Sequence, residues 1–266
     1  MEYIRPFTLC VSCTEVSYKQ TTSIGDFQVT STKRFLAIAL IGALIQGCVS
    51  TSSSLSTSAS AEQTSSSALA VSQATYYVYL AGPEVFLADP IGAGVAKKAA
   101  IERLNQQNDW PFKLVGLYPM DNEIEDFAAD YKTGIKIYHA NIMLMNSADF
   151  ITANMVRFRG PSMDVGTAFE MGYMAGLNKP VFAYYDAKPF YGSDEKPGLY
   201  TDRVAKHYPL AKDKPGFDVH GQSIENFRME DNLMMIGSLE TGENKISDSF
   251  ETAILKIAEM IQARQD

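Results

Sequence analysis

The chain of 266 residues is poor in cysteine, and its three cysteines all lie near the start. They are Cys10, Cys13 and Cys48, so residues 49–266 contain no thiol. A domain formed by those residues cannot have disulfide bonds, a cysteine nucleophile or a thiolate metal site.

A hydrophobic run long enough to cross a membrane is also missing. The apolar run Phe35–Ile45 has 11 residues, whereas a membrane-spanning helix needs about 20. The run follows Lys33 and Arg34 and ends just before Cys48, a layout typical of a secretory signal. The sequence Ile-Gln-Gly-Cys that ends at Cys48 resembles a bacterial lipoprotein cleavage box. The resemblance implies that Cys48 becomes the lipidated first residue of the mature chain; a buried apolar helix or a mistranslated leader is the alternative.

The segment 48–75 is rich in Ser and Thr and has too few apolar residues to bury a core. It predicts a flexible tether between a leader, residues 1–47, and a folded domain, residues 76–266. With a functional signal, the domain is expected at the bacterial cell envelope on the periplasmic side, with the lipid anchor as its only membrane contact. Without one, it is expected in the cytoplasm.

Basic residues are outnumbered by acidic ones. The chain has 23 Lys and Arg against 31 Asp and Glu, a formal net charge of −8. Removal of residues 1–47 leaves 19 basic and 28 acidic residues, a net charge of −9. Such a surface repels phosphates on average, so nucleic acid is not expected as a partner.

Strand-like and helix-like segments alternate along residues 76–266. The strand-like segments are rich in β-branched and aromatic residues and are followed by turn-forming residues. The predicted strands are Tyr76–Ala81, Phe112–Tyr118, Asp149–Asn154 and Lys179–Tyr185. The predicted helices are Ala93–Gln107, Tyr131–Ser147, Asp164–Leu177 and Ser247–Arg264. Residues 186–223, dense in Pro, Gly, Lys and Asp, are expected to form a long irregular excursion.

This alternation predicts an α/β fold, with a flavodoxin-like or Rossmann-like open parallel sheet and helices on both faces. Ligands of such folds bind beyond the carboxyl ends of the strands. The loops 82–91, 121–130 and 155–163 are expected to meet there.

Motifs for common cofactors are absent from the sequence. The segment Gly92–Ala96 lacks the third glycine of the dinucleotide fingerprint and lies a full loop beyond its strand, so NAD binding is not expected. His139, His207 and His220 show no metal-ligand spacing. Neither a cofactor nor a metal ion is therefore predicted.

Glu170 is an unusual residue in its surroundings. The rest of the predicted helix is almost entirely apolar or small, and no Lys or Arg occurs between Gly160 and Asn178. Because an unpaired buried carboxylate is costly, Glu170 is either exposed on the helix surface or kept for function. Asp164, six residues earlier and about 9 Å away along a helix axis, is well suited to cap the helix N-terminus.

Several elements carry a more specific signature. The central one has the pattern Asp-x-Gly-Thr-x-x-Glu-x-Gly and runs from Asp164 to Gly172. The elements are Val78–Pro83, Ala140–Asp149, Phe158–Tyr173, Gly176–Pro180 and Asn232–Met234. Together they resemble the nucleoside 2-deoxyribosyltransferase family over nearly the whole folded part.

The resemblance implies a role for each matching residue. Glu170 corresponds to the nucleophile of that family, Asp164 to the residue that contacts the substrate and assists proton transfer, and Tyr79 to the residue that steadies the nucleophile. Gly82, Asn141 and Gly166 correspond to substrate-binding positions. Asn232 and Met234 correspond to residues that a neighbouring subunit supplies to the 5′-hydroxyl of the sugar, which implies a homo-oligomer. Many members have Asp at the position of Asn141, a difference that bears on the choice between purines and pyrimidines.

The implied function is transfer of the 2-deoxyribosyl group between nucleobases, through a covalent Glu170 intermediate and with retention of configuration. 2′-Deoxynucleosides and free nucleobases are the expected substrates. An N-glycosidic hydrolase acting on nucleosides or nucleotides is one alternative, although Glu84 in the first loop disfavours a phosphate, and Arg157 and Arg159 could still reach one. A tethered nucleoside-binding lipoprotein without activity is the other alternative.

Overall fold

The computed structural model describes residues 73–124, 127–240 and 246–265. The predicted leader, Cys48 and the tether up to residue 72 lie outside the described residues.

Five parallel strands form a single sheet in the described part of the chain. They are β1 (Ala74–Ala81), β2 (Phe112–Leu117), β3 (Phe150–Asn154), β4 (Val181–Tyr184) and β5 (Ile246–Ser247). Their order across the sheet is β2-β1-β3-β4-β5. This is the flavodoxin-like order, in which ligands bind at the switch between β1 and β3. The predicted α/β open parallel sheet is confirmed.

Seven α-helices of the described ranges connect and cover the strands. They are α1 (Pro90–Gln107), α2 (Tyr131–Ser147), α3 (Val165–Gly176), α4 (Lys188–Tyr191), α5 (Tyr200–His207), α6 (Leu233–Gly237) and α7 (Phe250–Ala263). The N-cap residues of the four longest helices are Asp89, Asp130, Asp164 and Ser249. The side chain of each accepts a hydrogen bond from a backbone N–H of the first turn. These caps satisfy N–H groups that have no partner inside the helix.

The side chains of β1 alternate between two separate cores. Val78 and Leu80 point to one face of the sheet, where α1 and α7 cover them. Tyr79 and Ala81 point to the other face and pack with residues of α2, α3 and α6. The period of two along a strand therefore places Tyr79 on the same face as α3, the helix that carries Glu170.

The structure differs from the sequence predictions in three places. The helix α6 was not predicted, because five residues are too few to show a periodic pattern. β5 was not predicted, because a strand of two residues has no periodicity to detect. The excursion 186–223 was predicted to be irregular but contains α4 and α5. The α5 segment is short and polar, and the side chain that it buries is Arg203 rather than an apolar residue. Other boundaries shift by a few residues; β1, for example, begins at Ala74 rather than Tyr76.

Candidate active site

Tyr79 and Glu170 are in direct contact at the carboxyl end of β1. The Tyr79 side chain is completely buried, and its hydroxyl donates a hydrogen bond to Glu170 Oε1 at 2.5 Å. One group is carried by a strand and the other by a helix, so both are held by regular backbone. The pair joins residues 91 positions apart in the sequence.

The carboxyl group of Glu170 holds its proton more tightly than an ordinary glutamate. Its pKa is raised from 4.5 to about 7, chiefly by burial and in smaller part by the nearby Asp164 carboxylate. The hydrogen bond from Tyr79 and the positive charge of Lys97 act in the opposite direction. Burial and the Glu170 charge in turn raise the pKa of the Tyr79 hydroxyl well above 10, so Tyr79 remains a proton donor. Near neutral pH, Glu170 is thus divided between its protonated and ionised forms.

Asp164 lies at the N-terminus of α3, as the sequence predicts for a helix cap. Its Oδ2 atom accepts hydrogen bonds from the Thr167 backbone N–H at 2.8 Å and from the Thr167 hydroxyl at 3.0 Å. The residue is buried. The Asp164 carboxylate is close enough to Glu170 to raise the pKa of its carboxyl group.

Two glycines keep the backbone beside these groups free of side chains. Gly82 follows β1 with φ of 155°, a conformation that other residues rarely adopt, and a Cβ atom there would lie 2.0 Å from Glu84 Oε2. A Cβ atom on Gly166 would lie 3.1 Å from Asp164 Oδ2. Substitution at either position would displace a carboxylate.

Asn141 is partly buried on α2, and its Oδ1 atom accepts a hydrogen bond of 3.1 Å from the side chain of Asn122. Asn122 follows the carboxyl end of β2 and also donates to the Pro119 carbonyl. The amide of Asn141 is thus held by a loop of the predicted ligand-binding edge. Asn122 belongs to no motif, so nothing in the sequence distinguishes it.

Asn232 and Met234 lie at the start of α6. The Asn232 side chain accepts from the Met234 backbone N–H at 3.0 Å and donates to Glu225 at 2.7 Å. The Met234 side chain is 66% exposed. Asn232 is therefore fixed by its own chain, while Met234 lies open on the surface.

A buried ion pair fastens this segment to the loop that precedes α3. The Asp231 carboxylate accepts from the Ser162 hydroxyl and the Met163 backbone N–H, and it lies 3.3 Å from Arg203 Nη2. Arg203 also donates to four backbone carbonyls, those of Pro161, Pro197, Gly198 and Glu230. We call this arrangement the Arg203 clamp. It joins α5 and the segment 230–231 to the loop before α3.

A second buried ion pair lies below the Gly82 turn. Lys97 Nζ on α1 is 2.9 Å from Glu84 Oε1, and both side chains are almost fully buried. The same oxygen accepts hydrogen bonds from Asn154 at 2.9 Å and from the Tyr184 hydroxyl at 3.0 Å. Glu84 therefore points into the protein, towards α1, and not towards a ligand. The sequence did not predict this pair, because its members are 13 residues apart on different elements.

No group of three or more His, Cys, Asp or Glu side chains within the described ranges could hold a metal ion. None of the helices in those ranges is long and apolar enough to span a membrane.

Two surface clefts, of about 740 and 340 Å³, are lined by residues of segments 185–197, 246–256 and 157–207. Glu170 lines neither of these two clefts.

Comparison with known proteins adds an independent line of information. A family model described as nucleoside 2-deoxyribosyltransferase matches residues 78–234, more than half of the chain. An uncharacterized protein of Schizosaccharomyces pombe is 27% identical over 201 residues, which cover 70% of this chain and 90% of that protein.

Two solved structures are also similar. A 2-desoxiribosyltransferase from Leishmania mexicana shares 26% identity with a TM-score of 0.44, covering 69% of this chain and 97% of that one. A 2-deoxyribosyltransferase from Bacillus psychrosaccharolyticus shares 14% identity with a TM-score of 0.39, covering 66% of this chain and 88% of that one.

Proposed function

Because the chain belongs to the nucleoside 2-deoxyribosyltransferase family, whose reaction moves a 2-deoxyribosyl group between nucleobases, we propose that Glu170 performs this transfer as a covalent nucleophile. The observation that carries the proposal is the contact between Tyr79 and Glu170. It holds a partly buried carboxyl group on two regular elements at the ligand-binding edge of the sheet. A pKa of about 7 leaves enough ionised Glu170 to react near neutral pH.

In the first step, an ionised oxygen of Glu170 attacks C1′ of the deoxyribose. The bond between C1′ and the base nitrogen breaks through an oxocarbenium-like state, which the nearby carboxylate stabilises. Asp164, which is ionised at rest, takes up a proton from solvent and passes it to the departing base. The sugar is now bound to Glu170 as an ester.

In the second step, a nitrogen of the incoming base attacks C1′ from the face that the first base has left. The ester bond breaks, Glu170 regains its negative charge, and Asp164 takes up the proton that the incoming base loses. Two displacements at C1′ retain the original configuration. Attack by water in place of a base would release free deoxyribose, so exclusion of water decides between transfer and hydrolysis.

We also propose that the enzyme works as a homo-oligomer, in which Asn232 and Met234 reach the sugar in a neighbouring subunit. The exposed aromatic side chains beside Glu170 support an interface there. Phe169 on α3 is 50% exposed, Tyr138 on α2 is 46% exposed, and their rings lie 6.1 Å apart. Apolar side chains that are exposed side by side favour burial against another protein surface.

The oligomer is tested with Phe169→Glu. We expect sedimentation analysis to show smaller particles and the activity per chain to fall, because a charge would have to be buried in the interface. Val219→Glu, which places the same charge at an exposed apolar position of the excursion, is the matched control. An unchanged particle size for Phe169→Glu would contradict an interface at α3.

The transfer reaction is tested with purified residues 73–266, deoxyinosine and free adenine. Formation of deoxyadenosine with retained configuration is expected, and Glu170→Ala should abolish it. Glu259→Gln, at an exposed acid of α7, is the control. Intact mass measurement after incubation with deoxyinosine alone should reveal a deoxyribosyl group on the wild type. Free deoxyribose as the sole product would indicate the hydrolase, and the absence of turnover would indicate the nucleoside-binding protein.

For the leader, we propose that Cys48 is lipidated and anchors the enzyme to the bacterial envelope. The basic, apolar and Cys-terminated layout of residues 33–48 supports this. Cys48→Ser in the full chain should move the protein from the membrane fraction to the soluble one. An unchanged distribution would contradict the anchor.

A further inference from the structure

The amide side chains of Asn122 and Asn141 form a pair beside the loop that follows β2. Asn122 Nδ2 donates one hydrogen bond to the Pro119 carbonyl and one to Asn141 Oδ1, both at 3.1 Å. An amide has a donor end and an acceptor end. A neighbour that fixes the orientation of an amide therefore decides which end meets a ligand.

The orientation of the pair follows from the Pro119 carbonyl. A carbonyl oxygen only accepts hydrogen bonds, so the atom of Asn122 that faces it must be the nitrogen. The same nitrogen faces Asn141, so the Asn141 atom that receives its second N–H must be the oxygen. The Asn141 amino group makes no hydrogen bond to residues of the described ranges. It therefore keeps two N–H donors for a ligand.

A short turn after β2 holds Asn122 in place. Asp121 Oδ2 accepts from the Tyr118 backbone N–H at 2.9 Å, and the Asp121 backbone N–H donates to the Tyr118 carbonyl at 2.9 Å. Lys98 on α1 forms an ion pair with Asp121. Because these contacts fix the backbone next to Asn122, its side chain can hold the Asn141 amide in one orientation.

Asn141 and Glu170 lie on two helices that contact each other. The Tyr138 ring of α2 lies 6.1 Å from the Phe169 ring of α3. Tyr138 and Asn141 are three positions apart and share a face of α2, while Phe169 immediately precedes Glu170 on α3. The contact between the two rings therefore brings the segments that carry Asn141 and Glu170 together.

The sheet supplies a second link between the two side chains. Glu170 is hydrogen-bonded to Tyr79 of β1, and Tyr79 pairs with Leu117 of β2. Asn122, which holds Asn141, follows Leu117 by five residues. Neighbouring strands lie about 4.8 Å apart, which is less than the length of a purine base. A base bonded to a sugar beside Glu170 can therefore extend to the end of β2.

We propose that Asn122 is a positioning residue for base recognition: it holds the Asn141 carbonyl, so that the Asn141 amino group meets the exocyclic group of the nucleobase. An amino group donates and fits a base that has a carbonyl group there, such as hypoxanthine, guanine or thymine. Adenine and cytosine have an amino group instead, and two facing donors form no hydrogen bond. The enzyme therefore prefers oxo bases to amino bases. The inference rests on the proposed transfer function and narrows its substrates.

The experiment compares deoxyinosine with deoxyadenosine, whose bases have an oxo group and an amino group at C6. With enzyme in excess and no acceptor base, the release of the free base reports the first displacement alone. The quantity of interest is the rate constant for deoxyinosine divided by that for deoxyadenosine. Each variant is compared with the wild type, so the intrinsic difference in reactivity between the two nucleosides cancels.

Asn122→Ala leaves the Asn141 amide free to turn its carbonyl towards an amino base. We expect the ratio to fall about tenfold, the discrimination of one good pair of hydrogen bonds to a base edge. Asn122→Asp keeps the shape but only accepts, so it should reverse the Asn141 amide and lower the ratio further. Asn226→Asp adds the same charge at an exposed residue and is the matched control, for which we expect an unchanged ratio.

Asn141→Asp is a second route to the same result. It leaves Asn122 intact and replaces the donating amino group with an accepting oxygen, so the ratio should again fall. Circular dichroism checks that each variant is folded. An unchanged ratio in the folded Asn122 variants would overturn the proposal and leave the amide pair a structural role.

Calorimetric binding of the two nucleosides to Glu170→Ala gives the corresponding ratio of dissociation constants without turnover. It separates failure of this inference from failure of the proposed function. If the wild type releases no base but Asn122→Asp shifts the binding preference towards deoxyadenosine, the role of Asn122 is supported and the transferase is not. If the wild type is an active transferase and Asn122→Asp leaves the preference unchanged, the role of Asn122 alone is contradicted.

Discussion

The two faces of the sheet are packed with different kinds of side chain. On the face covered by α1 and α7, the buried apolar residues are branched, aromatic or small, and none of them is methionine. On the face covered by α2, α3 and α6, five of the buried apolar residues are methionines. They are Met145, Met155, Met163, Met171 and Met174. Tyr79 and Glu170 lie on this second face.

Methionine is unbranched and adapts its shape, whereas branched and aromatic side chains have few rotamers and pack in one way. The first face also buries α7 along six of its residues, while α2 buries two of its 17. The face covered by α1 and α7 is thus a well-packed core that stabilises the fold. The other contains Tyr79 and its partner Glu170, is more adaptable and leaves apolar surface exposed.

The strongest test of this division is Glu170→Gln. We expect kcat to fall by at least about a thousandfold, because an amide cannot form the ester. We also expect the fold to become more stable at pH 8. The folded state raises the pKa of Glu170, so the stability that the proton provides is present below pH 4.5 and is lost as pH rises through about 7.

Thermal unfolding at pH 5 and pH 8 measures this second effect. The melting temperature of Glu170→Gln should exceed that of the wild type at pH 8, and the gain should shrink at pH 5. Equal gains at both pH values would show that the Glu170 charge does not carry the difference.

Ile257→Ala tests the core between the sheet and the helices α1 and α7. Ile257 is completely buried on α7, and removal of its side chain beyond Cβ should reduce the free energy of unfolding by about 2–5 kcal/mol. Urea denaturation measures the loss. The activity per folded molecule should remain unchanged at low temperature, and a large fall in kcat at full folding would contradict the separation of the two faces.

Tyr79→Phe tests the contact between strand and helix. The hydroxyl lowers the pKa of Glu170, so its loss should move the acidic limb of kcat/KM above pH 7. We expect roughly tenfold lower activity at pH 6, for a shift of about one unit, and a smaller loss at pH 9. A uniform loss at all pH values would mean that Tyr79 acts on something other than the proton of Glu170.

Met171→Leu should have the smallest effect. Met171 is fully buried next to Glu170 in sequence, but leucine has nearly the same volume, and the surrounding methionines can adjust. We expect a change in unfolding free energy below about 1.5 kcal/mol, measured by urea denaturation. A loss as large as that of Ile257→Ala would show that the second face is packed as rigidly as the first.

Most of the fold could be read from the sequence. Strands β1 to β4 are buried runs bounded by turn residues, and their alternation with helices predicts the parallel sheet. The strand β5 could not be predicted, because pairing with β4 and not local pattern defines its two residues. The short helix α5 was missed because its buried side chain is the charged Arg203.

The central residues of the candidate site could also be anticipated, since Asp164 and Glu170 belong to one short motif, and the structure brings Tyr79 to Glu170. The catalytic and binding roles of these residues stay predictions. The ion pair of Lys97 with Glu84 could not be anticipated, because its two members lie on different elements and belong to no common motif.

The Arg203 clamp has a consequence for how the chain can vary between relatives. The clamp holds α5, and the segment 209–222 follows that helix. This segment makes backbone hydrogen bonds within itself, from Ala211 to Phe217, from Asp218 to Gln222 and from Val219 to Pro209. Insertions or deletions near residue 213 would therefore lengthen or shorten an appendage without reaching the loop before α3. The segment near residue 213 can therefore vary between relatives, or carry an inserted reporter peptide, without a change in the geometry of the candidate active site.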